Sequence, residues 1–194
     1  MIFKIAITGG TSSGKSYIAK ILSEKLNCLY FDADKMVNEI YSDSNFCKLH
    51  FLTKYSFLLN ENFCISKEKL KKTIIGHPSF LNEICLIVYP EIKNRIIQTF
   101  QEFSKEKNII FEITMLFESE MNKYFDFIIH INSNNNLQLQ RSIDKKIDLS
   151  LHQIFVERQM DNQIKNQKSN FIIYNNENLL NQINECVNLI INSY

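Results

Sequence analysis

Glycine is scarce in this chain. Gly9, Gly10, Gly14 and Gly76 are the only four among 194 residues, and three of them fall within one short stretch near the N-terminus. Proline occurs twice and tryptophan not at all, and no long linker or internal repeat interrupts the chain. Arginine is confined to Arg95, Arg141 and Arg158 against an abundance of lysine and asparagine. Phosphate chemistry favours the planar guanidinium fork, so each of the three is a candidate ligand. Charge of one sign is missing too. The net value of +1 provides no field to draw the molecule onto nucleic acid or a membrane surface. No apolar run approaches the ~20 residues that cross a bilayer; Ile84 to Tyr89 is among the longest. The N-terminus turns glycine-rich too soon to serve as a signal peptide. Five cysteines, odd in number and without C-x-x-C spacing, argue against a zinc site or a disulfide framework. They point to buried thiols and a cytoplasmic location.

The composition, with 45% hydrophobic and 22% charged residues, is that of a globular protein. The length suits one α/β domain carrying an inserted subdomain and is too short for two ordinary domains. Short apolar runs predict strands at 3–8, 29–31, 109–113, 127–131 and 171–174. Helical periodicity is expected over 16–26, 35–41, 135–145, 151–160 and 177–191. Strands that alternate with helices predict a five-stranded parallel sheet covered on both faces. The block from about 45 to 95 holds helical patterns only, one starting at Ser66 and one over 80–97 broken at Pro90. It reads as a helical insert, with the core at 1–44, 96–140 and 161–194 and a helical lid over about 141–160.

Gly9-Gly10-Thr11-Ser12-Ser13-Gly14-Lys15-Ser16 satisfies G-x-x-x-x-G-K-[ST] between a strand and a helix, the context this pattern requires. Glycines let successive backbone N–H groups converge on phosphate oxygens, and the following helix aims its positive end at them. Gly10, Thr11, Ser12, Ser13, Gly14, Lys15, Ser16 and Tyr17 are therefore the expected ATP contacts. Lys15 neutralises phosphate charge and Ser16 is a ligand of Mg²⁺. The glycine count then sorts the classes. The residue three before Gly76 is Thr73, so the Asp-x-x-Gly switch of a GTPase cannot be built, nor can a transporter-type ATPase signature. A P-loop kinase acting on a small molecule remains.

Asp32-Ala33-Asp34 closes the second strand, at the edge where open α/β sheets bind ligands. A carboxylate here can accept a proton from an attacking hydroxyl or hold water on Mg²⁺. Asp34 is equally suited to cap the following helix. Ser150-Leu151-His152-Gln153 fits a capping box opening a second lid helix. The four histidines show no ligand spacing and read as structural.

The motifs together resemble the dephospho-CoA kinase family. Ile7 through Ser16 is similar to its T-G-G-I-x-S-G-K-[ST] opening, and Phe31-Asp32-Ala33-Asp34 to its V-D-A-D motif. Glu112-Ile113-Thr114-Met115-Leu116-Phe117-Glu118 resembles D-x-P-L-L-F-E. Arg158-Gln159-Met160 with Asn170 to Asn175 resembles R-Q-M … A-D-F-V-I-D-N. The resemblance implies phosphorylation of the ribose 3′-hydroxyl of dephospho-CoA by Mg-ATP, in a monomer or weak homo-oligomer. It implies Asp34 as catalytic base, with Lys15 and Arg141 on the transferring phosphates. It further implies Asp32, Lys67, Tyr89, Leu116 and Glu118 on the substrate side, and Glu112 beside the metal with Ser16. The chain departs from the family pattern at Tyr89 (His before Pro90), Thr114 (Pro), Lys145 and Lys67 (Arg), and Glu112 (Asp). A nucleoside or nucleotide kinase is the rival within the class. A nucleotide-binding protein without turnover is the rival outside it.

Overall fold

A computed structural model of the chain describes residues 3–103, 107–175 and 178–192. Its elements run β1 (Lys4–Gly9), α1 (Lys15–Lys25), β2 (Leu29–Asp32), α2 (Ala33–Ser42), α3 (Ser44–Phe51), α4 (Lys67–Gly76) and α5 (Phe80–Glu102). Then follow β3 (Ile109–Glu112), β4 (Phe127–Asn132), α6 (Asn135–Asp144), α7 (Leu149–Arg158), α8 (Asn162–Lys168), β5 (Phe171–Tyr174) and α9 (Leu179–Asn192). The chain forms two compact units, Met1–Ala33 with Thr99–Tyr194, and Asp34–Gln98.

The five strands are parallel, in the order β2-β3-β1-β4-β5. β2 is thus not β1's neighbour. β3 lies between them, and its terminal Glu112 is level with Asp32 on one side and with Ile7 on the other. β1 is central, and the chain leaves it first for one sheet edge and later for the other. A crevice therefore opens at the carboxyl ends, beyond Gly9.

Side-chain alternation explains both faces. Ile5 and Ile7 of β1, Ile110 of β3, Ile129 and Ile131 of β4 and Ile173 of β5 form one buried layer. Against it pack Ile18, Ala19 and Leu22 of α1 and Ile183, Cys186 and Ile190 of α9. These α1 residues recur at helical spacing, so a single stripe meets the sheet. Each fully buried isoleucine contributes about 1.5–3 kcal/mol. The other face carries Phe111, stacked on Phe31 and edge-on to Phe100 and Phe125. It also carries His130, which meets Asn166 of α8.

In the second unit, α5 runs through Pro90 without a break, where the periodicity had suggested two segments. Ile84, Val88, Ile92 and Ile96 are all buried, with Pro90 in their midst. That stripe offsets the roughly 3 kcal/mol that an interior proline costs a helix, and Leu86, which loses its amide partner four residues on, is 77% exposed. α4 is capped by the Ser66 hydroxyl, which accepts from Lys69 N.

Three expectations are corrected. α2 begins at Ala33, so Asp34 is its second residue and not its cap. α7 begins at Leu149, with the Asp148 carboxylate accepting from Ser150 N and Leu151 N. The aspartate two residues upstream takes the capping role assigned to Ser150, because α6 ends in a tight turn that delivers Asp148 to that point. Finally, only Cys47 and Cys186 are fully buried, while Cys28, Cys64 and Cys85 are partly accessible. All five are free thiols. Burial pushes the Cys28 thiol up to about 11 and the Cys186 thiol up to about 12. The start expected for the last helix at residue 177 lies outside the described residues, and α8 was not anticipated.

Candidate functional site

The glycine loop leaves β1 and enters α1 through Gly14, whose φ of 96° is left-handed. A Cβ there would also lie 2.2 Å from Nδ2 of Asn175, so both backbone and space demand glycine. Lys15 is 6% exposed and donates from Nζ to the Gly10 carbonyl at 2.9 Å. The ammonium is thus folded onto the loop itself, where a phosphate oxygen can replace the carbonyl as its acceptor.

Ser16, on the first turn of α1, donates to Oε1 of Glu112 at 2.8 Å. Tyr30 donates to the other oxygen, Oε2, at 2.5 Å, in the short range of a phenol on a carboxylate. Glu112 is 5% exposed, so these two bonds satisfy an otherwise buried charge. The register of β2 on β3 sets Asp32 beside Glu112 on the same face. Serine hydroxyl and carboxylates form an all-oxygen set, the chemistry of a hard cation. Among the described residues there is no cluster of three or more His, Cys, Asp or Glu side chains set to hold a metal by themselves. Such a set suits Mg²⁺, which keeps several waters and borrows phosphate oxygens.

α6 and the end of α7 clasp the loop residue by residue. A Cβ on Gly10 would meet Oε1 of Gln138 at 2.6 Å, so the glycine is what admits that side chain. Gln159 donates to Oγ1 of Thr11 at 2.9 Å, and Ser142 to Oγ of Ser12 at 2.8 Å. Arg141 Nη1 and Asn175 Nδ2 both donate to the Ser13 carbonyl, at 3.2 and 2.7 Å. Arg141 therefore lies against the glycine loop itself. Arg158 is the last residue of α7.

Leu116 and Glu118, on the segment after β3, are both packed into the first unit. Leu116 is fully buried, and its carbonyl accepts Met121 N within the turn. The Glu118 carboxylate accepts Met160 N at 2.7 Å and lies 3.1 Å from Nζ of Lys165, a side chain with no exposure. A buried pair of this kind ties the segment after β3 to the base of the clasp, a packing task that the L-F-E motif does not announce. Beside it, burial of His130 holds its imidazole below the usual histidine range, opposed by the hydrogen bond to Asn166 and assisted by the Lys165 and Lys15 charges.

Asp34 is exposed on the first turn of α2, and its carbonyl accepts from Asn38. Lys67 is the exposed first residue of α4, and Tyr89 is half-buried on α5. Tyr17 is 61% exposed on α1. Tyr30, Gln138, Ser142, His152 and Lys165 carry no motif of their own, and their placement became visible only with the fold. Gln159 and Asn175 lie inside quoted motif segments that assign them no task.

A family model described as dephospho-CoA kinase matches residues 3–181. A dephospho-CoA kinase of Fusobacterium nucleatum is 32% identical over 179 residues, 92% of this chain and 92% of its own. One of Rickettsia bellii is 29% identical over 189 residues, covering 97% and 96%. Among solved structures, the Thermus thermophilus protein TT1252 superposes with a TM-score of 0.78 at 15% identity, over 99% of this chain and 97% of that one. A dephospho-CoA kinase from Campylobacter jejuni gives 0.66 at 24% identity, over 98% and 96%. A shikimate kinase from Acinetobacter baumannii gives 0.59 at 12%, over 100% and 95%. These structural likenesses share the fold, which by itself supports many acceptors.

Proposed function

This chain belongs to the dephospho-CoA kinase family, and from that membership together with the loop geometry we propose that it transfers the γ-phosphoryl group of ATP to the ribose 3′-hydroxyl of dephospho-CoA, giving coenzyme A and ADP. The observation that carries the reading is the construction of the loop itself. A left-handed glycine opens α1, a buried lysine is folded onto the loop's own carbonyl, and a serine–glutamate pair stands at its mouth. Backbone N–H groups and Lys15 hold the phosphates, and Arg141 exchanges the Ser13 carbonyl for a phosphate oxygen. Each such preorganised contact is worth most where charge develops during transfer.

Ser16 and Glu112 would hold Mg²⁺, which supplies positive charge against the phosphates. Tyr30 orients Glu112, and Asp32, level with it, adds negative charge on the same face. Asp34, two residues further along the chain, accepts the proton of the attacking hydroxyl, a task for an ionised carboxylate. It stands in the first turn of α2, where the helix dipole suits a negative charge. Lys67 and Tyr89 are the candidates for contacts with the remainder of the substrate. Among the described residues no helix is long and apolar enough to cross a membrane, and the site of action we assign is the cytoplasm.

The test is a phosphotransfer assay with purified protein, Mg-ATP and, separately, dephospho-CoA, nucleosides and nucleoside monophosphates, with products identified by mass. Coenzyme A and ADP in equal amounts are expected. Phosphorylation of a nucleoside or nucleotide in preference would redirect the assignment, and ATP binding without ADP formation would mark a protein without turnover.

A further inference from the structure

His152 reads as structural in the sequence, yet it is the far end of a chain of side chains that terminates in the phosphate loop. It is 8% exposed on α7, and its Nδ1 lies 3.0 Å from Oγ of Ser142. Ser142, on α6, is fully buried and in turn donates to Oγ of Ser12 at 2.8 Å. The turn between the helices fixes this meeting. Ile147 N donates to the Ser142 carbonyl and Lys146 N to the Ile143 carbonyl, with Lys146 left-handed at φ 54°. That is the paired closure of a helix C-terminus, and Asp148 caps α7 immediately afterwards. Ser142 is therefore anchored through its carbonyl, and its hydroxyl stands between Ser12 and His152.

We propose that Ser142 and His152 are positioning residues for phosphate binding, forming a directional hydrogen-bond chain from Nδ1–H of His152 through Ser142 to the Ser12 hydroxyl and from there to a phosphate oxygen of ATP. The polarity follows from proton counting. A serine hydroxyl has a single proton. Once Ser142 donates to Ser12, it can only accept from His152, so Nδ1 carries the hydrogen. Ser12, accepting from Ser142, keeps its own proton for a third partner. A phosphate oxygen in the loop is an acceptor only and matches that proton. The reverse polarity would turn Ser12 lone pairs toward an anion, so an occupied loop selects one tautomer of His152. The chain also accounts for the backbone at Ser12, where φ is 59°. That left-handed conformation is uncommon for serine, and the bond from Ser142 holds it in place.

The inference rests on the loop holding ATP phosphates, and its test separates the two readings. ADP affinity is measured by titration calorimetry for the wild type, Ser142→Ala, His152→Phe, His152→Asn, Ser12→Gly and the Ser12→Gly/Ser142→Ala pair. The tautomer of His152 is read from ¹⁵N chemical shifts with and without ADP. The loss of one hydrogen bond to a charged group corresponds to roughly 10-fold in affinity. Ser142→Ala, His152→Phe and Ser12→Gly should each weaken ADP by about that factor. His152→Asn, which can present an amide N–H near the same place, should stay within about 3-fold. Glycine relieves the left-handed strain at position 12, so Ser12→Gly reports on the hydroxyl even if a lid variant fails to fold. The double variant should bind no more weakly than Ser12→Gly alone. With ADP bound, the His152 signals should show Nδ1 protonated. A wild type that binds ADP alongside variants that bind equally well defeats the chain alone, as does an unprotonated Nδ1 in the complex. A wild type that does not bind ADP defeats the nucleotide reading and the chain together.

Discussion

The Ser16 hydroxyl and the Glu112 carboxylate, 96 residues apart in the chain, meet at 2.8 Å where α1 faces the end of β3. Tyr30 closes the other side of the carboxylate. Glu112 is thereby fixed beside the phosphate loop by a partner on each carboxylate oxygen. Glu112→Gln keeps the shape and removes the charge. It should bind ADP without metal as the wild type does, while losing roughly 10²-fold in Mg²⁺-dependent turnover. Tyr30→Phe should show a smaller loss in the same direction. Unchanged turnover in Glu112→Gln across a magnesium titration would take this carboxylate out of the metal's surroundings.

Lys15 and Arg141 both rest on carbonyls of the loop, at Gly10 and Ser13. Lys15→Ala should leave a folded protein with phosphotransfer reduced by at least ~10²-fold. Arg141→Lys should be a poor replacement, because an ammonium lacks the guanidinium fork, with the loss mainly in kcat. A wild-type kcat in both Arg141→Lys and Arg141→Ala would leave Arg141 as a clasp residue only.

Asp34 separates proton acceptance from helix stabilisation. As the second residue of α2 it contributes about 0.3–1 kcal/mol through the helix dipole, and Asp34→Asn forfeits little more than that. Turnover should fall by ~10²–10⁴-fold if the carboxylate takes the hydroxyl proton, with ADP affinity kept. Asp32→Asn should be milder. Thermal melts and kcat for both variants decide, and an active Asp34→Asn protein would move the role to Asp32.

The Glu118–Lys165 pair should behave as a buried ion pair. Lys165→Met leaves a carboxylate that is only 12% exposed without its cation, at a cost of roughly 3 kcal/mol. Adding Glu118→Gln should restore part of that stability, which a double-mutant cycle in urea measures. Strictly additive effects would show that the two side chains do not interact.

His130 makes stability fall in mild acid. Its folded pKa lies below the ordinary 6.5, chiefly through burial. Between that value and the folded one the unfolded chain binds the extra proton, so unfolding is favoured as pH drops. The slope is at most about 1.4 kcal/mol per pH unit. Urea midpoints for the wild type should decline below about pH 6.5, and those of His130→Gln should decline less. Parallel pH profiles for the two proteins would contradict this.

Sequence alone determined the elements whose signals are local. The strand, glycine loop and helix around Gly9–Ser16 were legible because the turn needs glycine and the helix needs a periodic apolar face, both written in consecutive residues. The five strands stood out as short apolar runs, and the family was visible in motifs spread along most of the chain. Tertiary structure decided whatever depends on distance across the chain. That β3 separates β2 from β1, so that Glu112 and not Asp32 neighbours the loop's own strand, follows from strand pairing, which no single run of residues encodes. Proline at position 90 reads as a break until the buried stripe on both sides is seen to outweigh one lost hydrogen bond. Glu118 finds Met160 N and Lys165 only because folding returns the end of α7 and α8 to the segment after β3. The partners of Ser12, Ser142 and His152 lie 130 and 10 residues apart. A hydroxyl or an imidazole acquires its role from what folding brings within 3 Å of it, because hydrogen bonds act at contact and carry no trace along the chain.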